Sequence, residues 1–396
     1  MNASRLDKWI KLAAAGFLLI AGAGSAAAQT KPAAGFETKA RQAILMDADE
    51  NLVLFEKDAD RLAPPASMSK MMTLAVVFRE LKAGRLKLDD EFKVSEHAWR
   101  IGGAPSGTSA MFAPLNTMVT VEDLIRGVTV QSANDGAIIL AEGIAGSEDV
   151  FAQRMTEYAR TIGLEKSTFK NATGLPAEGH VMTPRELAIL AHYIIYNYPD
   201  YYQYFGLKEF RYRDKFTFRN RNPLVFAEIG VDGLKTGFVK ESGYGLTASG
   251  TRGDQRLIVV VAGLESAKDR EAEARRLLDW GFKSFRPFRL FDEGQKVSDA
   301  LVWGGSSHYV PLVGNGNINV ILPANATGRV SAQIVYEGPL KAPIRKGDQI
   351  ATLRVTSAES QATNDIPLYA GDDIEPSNFL MRGLDSLGCL AFCWLL

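Results

Sequence analysis

Pro65-Ala66-Ser67-Met68-Ser69-Lys70-Met71-Met72-Thr73 is the stretch on which the reading of this chain turns. Pro64-Pro65 breaks whatever precedes it, and good helix formers then run over 68–81 until Gly84, so the spacing predicts a helix that opens beside Ser67. Ser67 and Lys70 stand at i and i+3 of that start, which points both side chains from one face about one turn apart. A lysine so placed takes the serine proton if burial and positive neighbours leave its ammonium partly deprotonated. The helix N-terminus adds free backbone N–H groups and a partial positive field where an oxyanion would form. Alone, the fragment reads as readily as a capping serine beside a solvated lysine.

Outward from this helix, the chain changes period. Two short apolar runs, 43–46 and 52–57, flank the turn-rich Asp47-Ala48-Asp49-Glu50-Asn51 and predict a β-hairpin. From Gly84 to about Tyr204 the pattern is mainly helical, with apolar spacing over 121–131, 137–144 and 150–162, and over 184–196 behind Thr183 as N-cap. Strands are predicted next at 209–218, 230–234, 244–251 and 256–264, where Ile258-Val259-Val260-Val261 reads as covered on both faces. An amphipathic helix over 268–285 buries Leu277, Leu278, Trp280 and Phe285. Strands, many helices, strands and a helix make an α+β domain, with one antiparallel sheet built from both ends and a helical lobe inserted between. Beyond Pro287, short alternating segments over 297–370 are separated by Gly314-Asn315-Gly316-Asn317 and Arg345-Lys346-Gly347-Asp348, the pattern of a small all-β domain.

Composition narrows the function classes. The 396 residues are 46% hydrophobic and 23% charged, with a net charge of −1 that offers nothing to a nucleic-acid partner. Arg5, Lys8 and Lys11, then an apolar run over 12–22 and Ala26-Ala27-Ala28, form a secretory leader, so export with a mature start at Gln29 is expected. The two cysteines, Cys389 and Cys393, fall in the last residues and leave no disulfide to staple the body. The four histidines show no ligand spacing, so neither a metal nor another cofactor is expected. Four segments result: leader 1–28, first domain 29–287, all-β domain 288–372 and tail 373–396.

Two further fragments suit the same chemistry as Ser67 and Lys70. Ser132-Ala133-Asn134 lies between two helical runs, where Ser132 can relay a proton to a leaving amine and Asn134 can hold a peptide group. Lys235-Thr236-Gly237 closes the strand expected over 231–234. It offers a charge and a hydroxyl to a carboxylate, with a glycine that lets a peptide lie alongside. Each is by itself an ordinary polar turn. The order and setting of all three point to a serine acyltransferase that uses lysine as base.

With these motifs the sequence resembles the low-molecular-mass penicillin-binding proteins, specifically the D-alanyl-D-alanine carboxypeptidases of bacterial cell-wall metabolism. The likeness runs over nearly the whole chain. It includes Ser132-Ala133-Asn134-Asp135, Asn220-Arg221-Asn222, Val231-Asp232-Gly233-Leu234-Lys235-Thr236-Gly237, Arg270-Glu271-Ala272-Glu273 and, in the β domain, Pro343-Ile344-Arg345-Lys346-Gly347-Asp348. The resemblance implies a β-lactamase/transpeptidase-like fold and a two-step acyl transfer on a peptidoglycan stem peptide. In it Ser67 attacks the bond between the terminal D-alanines with Lys70 as base, and the backbone N–H groups of Ser67 and Phe238 hold the oxyanion. Ser132, assisted by Lys235, protonates the leaving D-alanine, while Asn134, Thr236, Gly237, Arg221 and Arg270 bind substrate. Each arginine has a structural salt bridge as its alternative. β-Lactams are implied as covalent inhibitors, and a periplasmic location on the inner membrane as the setting.

The chain departs from the family pattern twice. Phe238 stands where some members carry histidine, which keeps the backbone donor and drops any side-chain contact. The tail has Arg382 as its one basic residue after Glu375, and its apolar end over 387–396 is too short to span a bilayer, so a shallow membrane anchor is expected. A serine β-lactamase is the alternative enzyme, although the stretch over 171–183 has only Glu178 in place of a Glu-x-x-Leu-Asn loop. A non-catalytic peptidoglycan-binding scaffold is the alternative from another class.

Overall fold

The computed structural model describes residues 36–324, 330–357 and 363–378; the leader expected over 1–28 and the apolar tail end lie outside them. Two compact units result, dividing between Lys283 and Ser284.

The first unit holds the α+β arrangement expected from the alternating periods. β1 (Gln42–Asp47) and β2 (Leu52–Lys57) form the hairpin, and Asn51 takes the left-handed backbone its turn requires. A 3-10 turn, Ala66–Ser69, then leads into α1 (Lys70–Lys82), which is buried on every side over 70–78 and forms the middle of the domain. The helical lobe follows. It comprises a small ribbon of β3 (Glu91–Lys93) with β4 (Met118–Thr120), then α2 (Val121–Arg126), α3 (Asn134–Ala145), α4 (Glu148–Thr161), α5 (Pro184–Asn197) and the short α6 (Pro199–Tyr202). Thr120, Ser147 and Thr183 cap α2, α4 and α5 through their side-chain oxygens, as the Thr183-Pro184 pair suggests for α5.

The chain returns to the sheet after the hairpin β5 (Glu209–Tyr212) and β6 (Phe216–Arg219), through β7 (Val231–Val239), β8 (Gly243–Arg252) and β9 (Gln255–Leu264), and closes with α7 (Ala267–Ser284). The five-stranded sheet runs β2-β1-β9-β8-β7, antiparallel throughout, so strands from both ends of the unit meet at the β1–β9 pair. β9 is buried over Leu257–Val261, covered on both faces as its apolar run requires. β7 is an edge strand.

Three local expectations are corrected. The single strand predicted over 209–218 is a hairpin, because Arg213 and Asp214 take left-handed backbones and turn the chain. The helix predicted over 121–131 gives way after Arg126 to a π turn, Gly127–Gln131. β7 does not end at Leu234 but continues to Val239, pairing Lys235 with Thr247 and Gly237 with Gly245. Its ladder with β8 overrides the low strand preference of Gly237.

The second unit is all-β. β10 (Phe285–Phe291), ahead of the expected onset at 297, pairs with β13 (Ile318–Pro323). β11 (Lys296–Trp303), β12 (Tyr309–Val313), β14 (Val330–Val335), β15 (Leu340–Lys341), β16 (Gln349–Ser357) and β17 (Thr363–Ala370) form a six-stranded sheet in the order β14-β16-β17-β12-β11-β15. Ala300, Val310, Leu312, Val320, Leu353 and Leu368 make its buried core.

Candidate active site

Ser67 does not sit on α1 itself. It lies in the 3-10 turn whose end hands over to Lys70, the first residue of α1, and this tighter spiral places residues i and i+3 nearly in line. Lys70 Nζ lies 3.0 Å from Ser67 Oγ and 2.5 Å from the carbonyl oxygen of Thr173. The lysine is fully buried, and burial lowers its pKa from an ordinary 10.5 to about 7. Positive neighbours are not the cause here. The charges that act on it are the carboxylates of Glu148 and Asp135, which partly restore the ammonium.

Ser132 follows the π turn in a left-handed conformation, φ 63°, and Ala133 then caps α3. That kink points the serine at β7, where Lys235 Nζ donates to Ser132 Oγ at 2.8 Å. Lys235 is also buried, and its pKa is held well below the ordinary lysine value by burial first, then by the charges of Lys70, Arg221 and Arg270. Two serine–lysine pairs therefore stand within one electrostatic neighbourhood.

Asn134 opens α3 and donates from Nδ2 to Thr108 Oγ1 at 2.8 Å, while its buried Oδ1 has no hydrogen-bond partner among the described residues. Its neighbour Asp135 accepts N–H bonds from Met111, Ala113 and Gly136, which ties the loop before β4 to the start of α3. On β7, Gly237 packs against the nucleophile's turn. A Cβ there would lie 2.9 Å from the Pro65 carbonyl and 3.2 Å from Ala66 Cβ. Thr236 is nearly buried, whereas Phe238 is 49% exposed and stacks on Tyr244 at 4.2 Å.

The two arginines are near the second pair but bind no carboxylate among the described residues. Arg221 donates Nε to Gln131 Oε1 at 3.2 Å, and the flanking asparagines hold its segment, with Asn222 Nδ2 donating to the Gly233 carbonyl at 2.9 Å. Arg270 Cζ lies 5.7 Å from the Tyr244 ring, and its buried Nε has no hydrogen-bond partner among the described residues. Among the described residues, no structural salt bridge holds either guanidinium group.

Sequence reading missed two parts of this arrangement. The Thr173 carbonyl that receives Lys70 is backbone, which no side-chain pattern announces. Glu148, the first residue of α4, accepts the Ala172 N–H at 2.9 Å and fixes that carbonyl's segment, although it lies far from Lys70 along the chain.

Comparison with known proteins agrees with this geometry. A family model described as D-alanyl-D-alanine carboxypeptidase matches residues 26–266, and one described as the C-terminal domain of penicillin-binding protein 5 matches residues 285–376. The D-alanyl-D-alanine carboxypeptidase DacC of Escherichia coli (strain K12) is 35% identical over 385 residues, covering 96% of this chain and 95% of that one. Among solved structures, penicillin-binding protein 5 from Haemophilus influenzae superposes with a TM-score of 0.78 at 33% identity, covering 86% of this chain and 99% of that one. Penicillin-binding protein D2 from Listeria monocytogenes, in its cefotaxime-bound form, gives 0.57 at 27% identity and covers 63% of this chain and 99% of that one.

Proposed function

The chain belongs to the D-alanyl-D-alanine carboxypeptidase family, and on that basis we propose that it removes the terminal D-alanine from peptidoglycan stem peptides through a Ser67 acyl-enzyme. The observation that carries the reading is the convergence of two buried lysines on two serines, Lys70 on Ser67 at 3.0 Å and Lys235 on Ser132 at 2.8 Å.

Each residue then has a task. Neutral Lys70 accepts the Ser67 proton as Oγ attacks the carbonyl between the two D-alanines. The backbone N–H groups of Ser67 and Phe238 hold the tetrahedral oxyanion. Ser132 gives its proton to the departing amine, and Lys235 replaces it, so the C–N bond breaks with D-alanine leaving neutral at nitrogen. Water then hydrolyses the ester. Asn134, with its free Oδ1, holds the peptide N–H, and Thr236, Arg221 and Arg270 take the terminal carboxylate. Gly237 serves the site by letting the edge strand lie close against the nucleophile's turn rather than by leaving room for the peptide.

β-Lactams enter by the same route, acylating Ser67 and leaving slowly. The bound cefotaxime of the Listeria protein is the parallel. In the cell, such an enzyme trims pentapeptides during wall remodelling and shape maintenance. We place it in the periplasm, exported by the leader over 1–28 and resting on the inner membrane through its apolar tail. No helix among the described residues is long and apolar enough to cross a membrane.

The decisive assay is D-alanine release from a pentapeptide ending in D-Ala-D-Ala, with wild type set against Ser67→Ala. Release by wild type alone supports the assignment, and equal release by both removes Ser67 as nucleophile. Rapid repeated turnover of benzylpenicillin would instead identify a β-lactamase. For the location, cell fractionation of the full chain against a version ending at residue 378 reads the tail, and identical distribution of the two dismisses the anchor.

A further inference from the structure

The hairpin of β5 and β6 concentrates positive charge at the edge of the site. Over 208–221 it carries Lys208, Arg211, Arg213, Lys215, Arg219 and Arg221 against Glu209 and Asp214, in a chain whose net charge is −1. Phe210, Tyr212 and Phe218 alternate to the buried side, and the cations all stand exposed. Among the described residues only Arg211 has a carboxylate partner, Asp214 at 3.2 Å, and both side chains of that pair lie mostly in solvent. Arg219 rests over the Phe226 ring at 4.3 Å, and Arg221 donates to Gln131. A merely solvated face ordinarily intersperses the two signs, and this one does not.

The hairpin is also built into the rim of the site. The Arg221 N–H donates to the Val130 carbonyl at 3.1 Å, in the π turn that leads to Ser132. Asn220 closes the base. Its N–H donates to the Lys208 carbonyl at 2.8 Å, and its Nδ2 to the carbonyls of Phe205 and Leu207 at 3.1 and 2.7 Å. Toward the tip, Phe216 packs on Phe112 with ring centroids 5.1 Å apart, and Phe112 lies in the loop that Asp135 ties to the start of α3 through Met111 and Ala113. A braced element therefore presents the cations, and the last of them, Arg221, lowers the pKa of Lys235 by its charge.

Position and sign together select the partner. On the carboxypeptidase reading, Arg221 takes the terminal carboxylate of the stem peptide being cut. Every uncut stem on a glycan strand ends in such a carboxylate, so the polymer is a string of anions where a free peptide is a single one. A positive face running outward from Arg221 meets the neighbours of the stem in the site.

We propose that the outer face of the β5–β6 hairpin binds the carboxylates of neighbouring stem peptides, and so directs the enzyme to glycan strands in preference to isolated peptides. The proposal rests on the carboxypeptidase reading and names the form of its substrate.

The test compares two substrates at equal stem concentration, a free pentapeptide ending in D-Ala-D-Ala and un-cross-linked glycan strands bearing many such stems. The ratio of their kcat/KM values per stem is read within each enzyme. Wild type is expected to favour the strands about tenfold at low salt, the scale of several exposed charge pairs acting together. Salt at about 0.5 M screens such pairs and is expected to shrink the preference to about twofold. In R211Q/R213Q/K215Q/R219Q, which spares Arg221, the ratio is expected near one at both salts. R211K/R213K/R219K keeps the charges and is expected to keep the preference. A ratio of one in wild type overturns the proposal, as does a preference that survives in the glutamine variant, ignores salt or is lost in the lysine variant. Tighter binding of wild type than of the glutamine variant to phosphatidylglycerol vesicles, with no preference between the substrates, would assign the face to an anionic membrane instead. Release from neither substrate overturns the carboxypeptidase reading itself, and the role of this face with it.

Discussion

Lys235 Nζ lies 2.8 Å from Ser132 Oγ, across 103 residues of sequence. Two backbone features make the contact. Ser132 takes a left-handed conformation between a π turn and α3, and Lys235 stands inside an edge strand that continues to Val239. Neither residue is solvated, so the lysine is a donor whose charge the surroundings oppose.

Lys235→Met separates function from stability at this contact. The variant keeps the buried stem and loses the nitrogen that recharges Ser132, so D-alanine release is expected to fall about 100-fold or more. Replacing a buried charge with an apolar side chain of similar volume is often neutral or stabilising. The melting temperature is therefore expected to hold or rise, by calorimetry. Activity within threefold of wild type would rule out the proton relay.

The first serine–lysine pair predicts a pH profile. Lys70 titrates near 7, and only its neutral form accepts the Ser67 proton. Acylation of Ser67 by benzylpenicillin is expected to rise about tenfold per pH unit below 7 and to level off above it. The stability effect has the matching sign. Between about 7 and 10.5 the unfolded chain binds more protons at this lysine than the folded one, so its contribution to stability improves as pH rises through that window. Lys70→Met is accordingly expected to raise the melting temperature more at about pH 6 than at about pH 10. A flat acylation profile would mean that Lys70 is not the base.

How far this arrangement can be read from the chain alone depends on what kind of group does the work. The helix behind Pro64-Pro65, the capped α5 and the covered strand β9 follow from local signals that agree with the fold. Ser132 and Lys235 are legible as motifs, but their pairing depends on β7 running past Leu234, where Gly237 weakens the local strand signal and the β8 ladder restores it. The groups that complete the Lys70 environment are harder still. Thr173 contributes a carbonyl, and Glu148, on α4, acts through the backbone N–H of a loop residue, so both are products of tertiary packing.

Gly174 tests how tightly that packing holds the nucleophile. It has φ +78°, and a Cβ there would lie 2.0 Å from the Ala66 carbonyl oxygen and 2.7 Å from Ser69 Oγ, on both sides of Ser67. Gly174→Ala has to shift the turn itself, and adds the left-handed strain of an alanine. A loss of about 2–4 kcal/mol is expected in denaturant unfolding, along with slower acylation. A variant that unfolds and acylates like wild type would show that the turn yields freely.

Glu148 is a positioning residue with an electrical signature. Its carboxylate accepts the Ala172 N–H at 2.9 Å and lies 3.0 Å from His97 Nε2, and its charge is the strongest influence opposing the burial of Lys70. Glu148→Gln keeps an oxygen for Ala172 and removes the charge, so the Lys70 ammonium loses support. The midpoint of the acylation profile is expected to move down by roughly half a unit to one unit. Glu148→Ala removes the oxygen as well, and is expected to lower the melting temperature and slow acylation at every pH. A residue that merely propped up the loop would change stability and amplitude in both variants and leave the Glu148→Gln midpoint where wild type has it, so an unmoved midpoint would refute the electrostatic role.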